Sequence, residues 1–515
     1  MLRAEPLYSP PTEEDLRVFQ LLVPPDHYLH RAGQTIDFQR FRPLMEPCYS
    51  PDQGRPALEP VILLKLEFLQ YHDRLSDQRV VDTAQVNVAY REFLGLSMTS
   101  DLPHPSSLSY FRGRLGVETH RKIFDDVVAQ AREHGLVKDR LRLKDATHII
   151  ADVAVPATIA LVAQIRERLL DAVAPYDSEW AEGQHVRAEI VRMDSAGAAE
   201  EQRLEVRVTH LREIIAWADD LMKRQEGTLV AASISWERLK ETLALAHKVL
   251  SDREHPEAGD ALASLEDPDA RFGRHCGSYC GYLLDIAMDP DSELITSLIV
   301  PASNGEEAAD AALLIGQEEE AHGNHVEALS ADGALCNGKR LRELTDPEGL
   351  NLEVFVPVPP ESPTEYFTAE DFRPDEATQQ VTCPAGQQSS RRDRSRHDTG
   401  WIYRFRYTTC SSCPLLGKCT AKLPKNHGRS ILKNDYAAEY AAARAKAQTP
   451  DFEAVRREHR KVERKLGEMV RHHRSRRARY RGRPKVLLQQ LMTAVVVNVK
   501  RIVRILRAGP ALAGT

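Results

Sequence analysis

ATHIIADVAV, residues 146–155, reads as a short buried strand, β-branched and apolar, in a chain whose first 138 or so residues read as helix. The change of period predicts an α/β class. Asp152 falls inside this run, and a carboxylate there is costly to bury unless it is paired or holds a metal. Asp145 stands at the strand's entrance and is the second choice for the same role.

Downstream, residues from about 160 to 265 return to charged helix (HLREIIAWADDLMKR, WERLKETLALAHKVL) and read as an inserted helical hairpin. GYLLDIAM (281–288), a Pro-Asp turn and ELITSLIV (293–300) then form a hairpin pattern. A helix from about Glu306 to His322 leads to the strand HVEALSADGA (325–334), with Asp332 at its end; a helix near Gly338–Glu343 and the strand NLEVFVPV (351–358) follow. Upstream, PALEPVILLKLEFLQYHDRL (56–75), DQRVVDTAQVNVAYREFLGL (77–96) and the turn-led SDLPHPSSLSYFRGRLG (100–116) predict three helices that suit either a DNA-binding or a purely structural module.

VRREHRKVERKLGEMVRHHRSRRARYRGRPK (455–485) places Glu463 on a helix that Thr449 can cap, with Pro450 at its first position and Asp451 in its first turn. Phe452, Val455, Val462, Leu466 and Met469 form its core-facing stripe, and Glu463 lies beside that stripe. The helix runs into Arg471, Arg474, Arg476, Arg477, Arg479, Arg481, Arg483 and Lys485, without an acid among them. A one-sign run of this kind predicts phosphate contacts, hence nucleic acid.

The formal net charge of -7 conceals the same asymmetry: residues 421–515 hold 24 Lys and Arg against 7 Asp and Glu, or +17, which leaves -24 for residues 1–420. MLRAEPLYSPPTEEDL has no apolar core of signal-peptide length, which predicts a cytoplasmic protein. The apolar stretch Val486–Val497 is too short to span a bilayer and predicts a buried terminal helix, with no membrane partner. Eight cysteines in 515 residues do not make a secreted disulfide scaffold.

Two strand carboxylates and one from a helix would form an all-oxygen site for hard ions, Mg²⁺ or Mn²⁺, of the sort that drives phosphodiester displacement. With these pieces in this order, the chain resembles the DDE transposases of bacterial insertion sequences. The resemblance rests on GRPALEPVILLKLEFLQYHDRLSDQRVV with PSSLSYFRGRLG, IIADVAV, GYLLDIAMDPDSELITSLIV, LSADGALCNGKRLREL, and HRKVERKLGEMVRHHRSRRARYRGRPKVLLQQLMTAVVVNVKRIVR. It implies a ribonuclease H-like core and places the catalytic, metal-holding carboxylates on Asp152, Asp332 and Glu463. It also implies binding of terminal inverted repeats in double-stranded DNA, metal-assisted cleavage, transfer of the 3′ hydroxyl to target DNA, and a homodimer in the DNA complex. Many relatives flank the glutamate with a tyrosine, an arginine and a lysine; here Arg456, His459 and Val470 take those positions, with Arg460 and Arg471 nearby as basic substitutes. A catalytically silent DNA-binding regulator and a metal-dependent nuclease without strand transfer stay open as alternatives.

Between about 360 and 440, Cys383, Cys410, Cys413 and Cys419 follow a C-x26-C-x2-C-x5-C pattern that suits either a structural Zn²⁺ site or four reduced, packed thiols. His275, Cys276 and Cys280 lack a fourth ligand and read as structural. The expected organisation is therefore a helical N-terminal DNA-binding domain (1–138), a catalytic core (139–160 with 270–360 and 440–508), a helical insertion (161–269) and a basic four-cysteine insertion (361–439).

Overall fold

In the computed structural model, which describes residues 9–50, 57–225, 233–256, 259–274, 277–305, 310–359, 365–375, 377–397, 399–424 and 426–508, the first strand begins and ends earlier than its apolar run suggests. β1 is Arg142–Ile150. Leu143, Thr147 and Ile149 are buried on one face, and the other face starts with Arg142 and Lys144, both also buried. These cations are tolerated because each meets an acid. Arg142 donates to Glu318 at 2.9 Å and 2.5 Å, and Lys144 donates to Asp285 at 2.7 Å.

After Ile150 the chain leaves the sheet. Ile150 N–H donates to the Arg476 carbonyl at 2.8 Å and its own carbonyl accepts from Ala478 at 2.8 Å, so residues 476–478 occupy the edge that a longer strand would need. Asp152 therefore stands in an exposed loop, and the strand expected over 146–155 is corrected to 142–150. His275 and Cys276 lie outside the described residues.

Five further strands complete the sheet: β2 (Arg271–Arg274), β3 (Ser278–Met288), β4 (Ile295–Ile299), β5 (Ala328–Ser330) and β6 (Glu353–Phe355). β3 runs antiparallel to β1, with β2 and β4 antiparallel on its far edge. β5 lies parallel on the other side of β1, and β6 parallel beside β5. The strand expected over 325–334 is thus only three residues long, and Asp332 follows it as the cap of a short 3-10 turn, accepting from Ala334 N–H at 3.2 Å.

The helix Pro450–His473 crosses one face of this sheet, with Thr449 capping it through Phe452 N–H at 3.3 Å. Val462, Leu466 and Met469 pack beneath it. The last helix, Arg483–Ala508, is long and apolar enough to cross a bilayer, yet 83% of its most apolar window is buried inside the fold. Its Asn498 amide is satisfied by β4, accepting from Ile295 N–H at 2.9 Å and donating to the Ile295 carbonyl at 2.8 Å.

That helix packs against Pro60–His72 and Ser106–Glu133, so the N-terminal helices share one core with the sheet. Ser106–Glu133 bends at Gly116, whose φ of 65° is open to glycine and strained for other residues. The two insertions have cores of their own. Four helices, Thr158–Val173, Ser178–Asp194, Glu200–Gln225 and Ile234–Glu254, close around Val162, Leu169, Ile214 and Trp236. In the cysteine insertion, β7 (Arg373–Asp375), β8 (Gln380–Thr382), β9 (Arg391–Arg394), β10 (Gly400–Arg404) and β11 (Ser430–Asn434) close around Phe372, Val381, Phe405 and Ile431.

The buried Glu318 also accepts from Arg132 at 2.7 Å, so two guanidiniums depend on one carboxylate. Glu318→Ala leaves the buried Arg142 with Asp139 at 3.0 Å and two backbone carbonyls, takes the bidentate partner away, and should lower unfolding stability by about 3 kcal/mol in chemical denaturation. A loss below about 1 kcal/mol, the range of an exposed pair, would show that this cluster does not anchor β1.

Candidate active site

Parallel pairing sets Arg142 opposite Leu329 and Leu143 opposite Ser330. Two residues further along each chain are Asp145 and Asp332, so continuing the register brings the middle of β1 to the loop after β5. Leu143, Asp145 and Ser330 look toward the helix Pro450–His473, because Ser330 Oγ meets His459 Nδ1 of that helix at 3.1 Å. Glu463, one turn beyond His459, is exposed at the helix edge.

The electrostatics tie these groups together. Burial raises the Asp145 carboxyl to about 6, the negative charges of Asp332 and Glu463 add to the rise, and Ala146 N–H and Lys144 oppose it. Ala146 N–H reaches Asp145 Oδ1 at 2.8 Å. Arg456 stands among the same three carboxylates; its guanidinium is weakened by burial and favoured by Glu463, Asp332 and Asp145. It donates to the Ala331 carbonyl at 2.9 Å, beside Asp332. Burial, with Arg456 and Lys144 nearby, holds His459 down to about 4, so this imidazole is neutral at pH 7 and fastens the helix to β5.

Of the three carboxylates expected to converge, Asp332 and Glu463 share this neighbourhood. Asp152 does not enter it: its carbonyl accepts from Arg481 Nε at 3.3 Å in the exposed loop. Asp145 occupies the place expected of Asp152. The signal for it was present in LRLKDATHII, where Leu141, Leu143, Asp145, Thr147 and Ile149 alternate. Arg456 and His459, which stand at positions flanking the glutamate, are the other groups at the site that spacing did not assign a role.

An oxygen-rich cluster in which Asp332 and Glu463 crowd the Asp145 carboxyl suits a hard divalent cation. Even so, among the described residues no three His, Cys, Asp or Glu side chains form a ready-made metal cage. The four cysteines are also neighbours without closing into one. Cys383, Cys410, Cys413 and Cys419 line a cavity of about 30 Å³ with Phe372, Phe405 and Leu416. Arg429 N–H points at Cys410 Sγ from 3.4 Å, and burial first, then the other three thiols, push Cys419 up.

The basic run divides. Arg476 donates to the His148 carbonyl at 2.7 Å, Arg479 to the Leu75 carbonyl, and Arg481 pairs with Glu266 at 2.8 Å. Acids from a distant part of the sequence thus face a run that contains none. Arg471, Arg474, Arg477, Arg483 and Lys485 are exposed.

A family profile described as a transposase domain matches residues 17–114, and one described as a transposase DDE domain matches residues 382–503. No curated protein and no solved structure matches the chain.

The raised carboxyl has a measurable consequence. With a folded value of about 6 against an ordinary 3.8, ionised Asp145 costs stability that grows as the pH rises from 3.8 to about 6 and is full above it. In chelator, Asp145→Asn should therefore melt above wild type at pH 8, with the gain shrinking toward pH 4. Equal melting temperatures across that range would refute the crowding of carboxylates at β1.

Proposed function

We propose that the chain, which belongs to the DDE transposases of insertion sequences, uses Asp145, Asp332 and Glu463 as the carboxylates that hold Mg²⁺ or Mn²⁺ for cleavage and joining of DNA. The observation that supports this reading is the raised Asp145 carboxyl between Asp332 and Glu463. The sheet supports it too. Three antiparallel strands followed by two parallel ones, in the order β4-β3-β1-β5-β6, fit a ribonuclease H-like core.

Divalent ions, when bound, supply an activated water or 3′ hydroxyl and stabilise the leaving oxygen. Asp145 offers its oxygens from the centre of the sheet, where its backbone is held on both sides; Asp332 offers them from a capped turn beside it. Glu463 approaches from the helix, whose position His459 fixes against Ser330. Arg456 offsets part of the cluster's charge in the free protein and is well placed to meet a phosphate when the carboxylates are otherwise engaged. DNA is the substrate, taken as the inverted ends of the element and as target, by a homodimer that holds two ends at once. Arg471, Arg474, Arg477, Arg483 and Lys485 are the run's cations available to its phosphates.

Arg456 also favours a second reading, in which its charge silences the carboxylates and the protein binds DNA as a regulator. Plasmid cleavage separates the two. With wild-type protein, Mg²⁺ or Mn²⁺ and a plasmid bearing the element's ends, cleavage and joined product are expected. Asp145→Asn, Asp332→Asn and Glu463→Gln should each lower it by at least about a thousandfold, as loss of a unit member does, while Asp152→Asn stays near wild type. Cleavage surviving in Asp145→Asn and lost in Asp152→Asn would return the first position to Asp152; no cleavage by wild type would favour the regulator.

The four cysteines fit a structural Zn²⁺ by donor chemistry, since sulfur ligands and a neighbouring N–H to Cys410 are what such a site requires. Purified protein should carry about one zinc per chain, and Cys413→Ser should lose it, as read by metal analysis. Zinc-free wild type prepared without chelator would leave four packed thiols as the account.

A further inference from the structure

The helix that carries Glu463 has a second face. Arg457, Arg460, Arg464, Gly467 and Arg471 recur along it at alternating steps of three and four residues, one continuous stripe. Glu463 lies at its edge. Opposite the stripe's far half, the last helix presents Lys500, Arg501 and Arg504, and together they bound an open groove of about 690 Å³ that starts at Glu463.

Three features distinguish this groove from an ordinary solvated surface. The Arg471 and Arg504 side chains are exposed and make no hydrogen bond or ion pair among the described residues, whereas most exposed arginines of the helical insertion are paired. Apart from Glu463, the acids that line it are already engaged: Glu293 lies 3.7 Å from Arg464 and 3.5 Å from Arg501, and Glu468 meets Lys465 at 2.8 Å. Finally, the stripe is interrupted by a glycine in a regular helix, and a Cβ there would meet nothing within 4 Å. Gly467 leaves the groove floor bare between two arginines.

We infer that this groove holds the sugar-phosphate backbone of one strand of duplex DNA as it leaves the carboxylates, a contact separate from the run 474–485. The spacing fits. Arg464 and Arg471 are seven residues apart, about 10.5 Å along the helix axis. Charges on one DNA strand fall about every 3.4 Å of duplex axis and further apart along the curved strand, so an interval of this length spans more than one phosphate. Arg504 closes on the strand from across the groove, and the bare backbone at Gly467 lets a phosphate lie against the helix. An acidic peptide would meet no apolar anchor here, and a compact anion would leave most of the groove open. The inference rests on the transposase reading for the identity of the polyanion.

Binding of a fluorescein-labelled duplex of arbitrary sequence to the full chain, in chelator and at several salt concentrations, tests it apart from catalysis. Arg471→Gln with Arg504→Gln should weaken binding and reduce the slope of log affinity against log salt by about 1.8, about 0.9 for each phosphate that no longer meets a cation. Gly467→Glu keeps every cation and should weaken binding as well, because its carboxylate projects into open space over the groove floor. Asp145→Asn should bind at least as well as wild type. Affinity and slope unchanged in both groove variants, with wild type binding normally, would overturn the groove and leave the carboxylate assignment standing. Failure of wild type to bind any duplex would overturn both.

Discussion

Arg142 and Lys144 occupy the central strand of the sheet, where a charge costs several kcal/mol unless it is met at close range. Glu318 and Asp285 meet them, and Asp139 at 3.0 Å and Asp289 at 3.6 Å stand beside Arg142 as further acids. These pairs do more than satisfy the cations. A strand has period two, so a slip of one residue would carry both charges to the face under the glutamate helix and turn Asp145 away from it. The charge pairs forbid that slip, and the register they impose is what sets Asp145 level with Asp332.

The site inherits the opposite problem. Asp145, Asp332 and Glu463 repel one another, and burial raises the cost, as the displaced Asp145 carboxyl records. The fold supplies two compensating cations, Arg456 from the helix and Lys144 from the strand itself. Lys144 links the two systems, since it pairs with Asp285 and also favours the ionised form of Asp145. A neutral His459 completes the arrangement by fastening the helix to β5 without adding charge.

Much of this was legible in the sequence. Thr449, Pro450 and Asp451 announced the start of the glutamate helix, the hairpin of β3 and β4 followed its turn, and the apolar end of the chain became a buried helix. The position of β1 was less legible because LRLKDATHII is charged, and the acids that allow it to be buried lie at 285, 289 and 318. The most apolar window lies at the strand's C-terminal end and runs past it, so Asp152 stood out in the sequence while Asp145 is the aspartate within the strand. The partners of the arginine run were hidden in the same manner. Nothing within it signals that Glu266 and the carbonyls of Leu75 and His148 would engage three of its members.

Two segments matched to transposase domains, 17–114 and 382–503, are separated by more than half the chain, yet they meet in one core. Leu66 and Phe124 from the N-terminal helices share it with Val462, Leu466 and the last helix, and Tyr71 reaches Tyr480 across 3.4 Å. The chain between them departs from the sheet twice, after β1 and after β6, and each departure folds around its own apolar cluster. Such insertions cost the core little beyond closing a loop, a term that grows only slowly with length. What cannot be separated is the pairing of the ends. The helix that offers Glu463 is fixed from below by the sheet and from behind by the last helix, which in turn packs on the N-terminal helices. The N-terminal region therefore supports the helix that carries Glu463 from behind, and the placement of that helix depends on both ends of the chain.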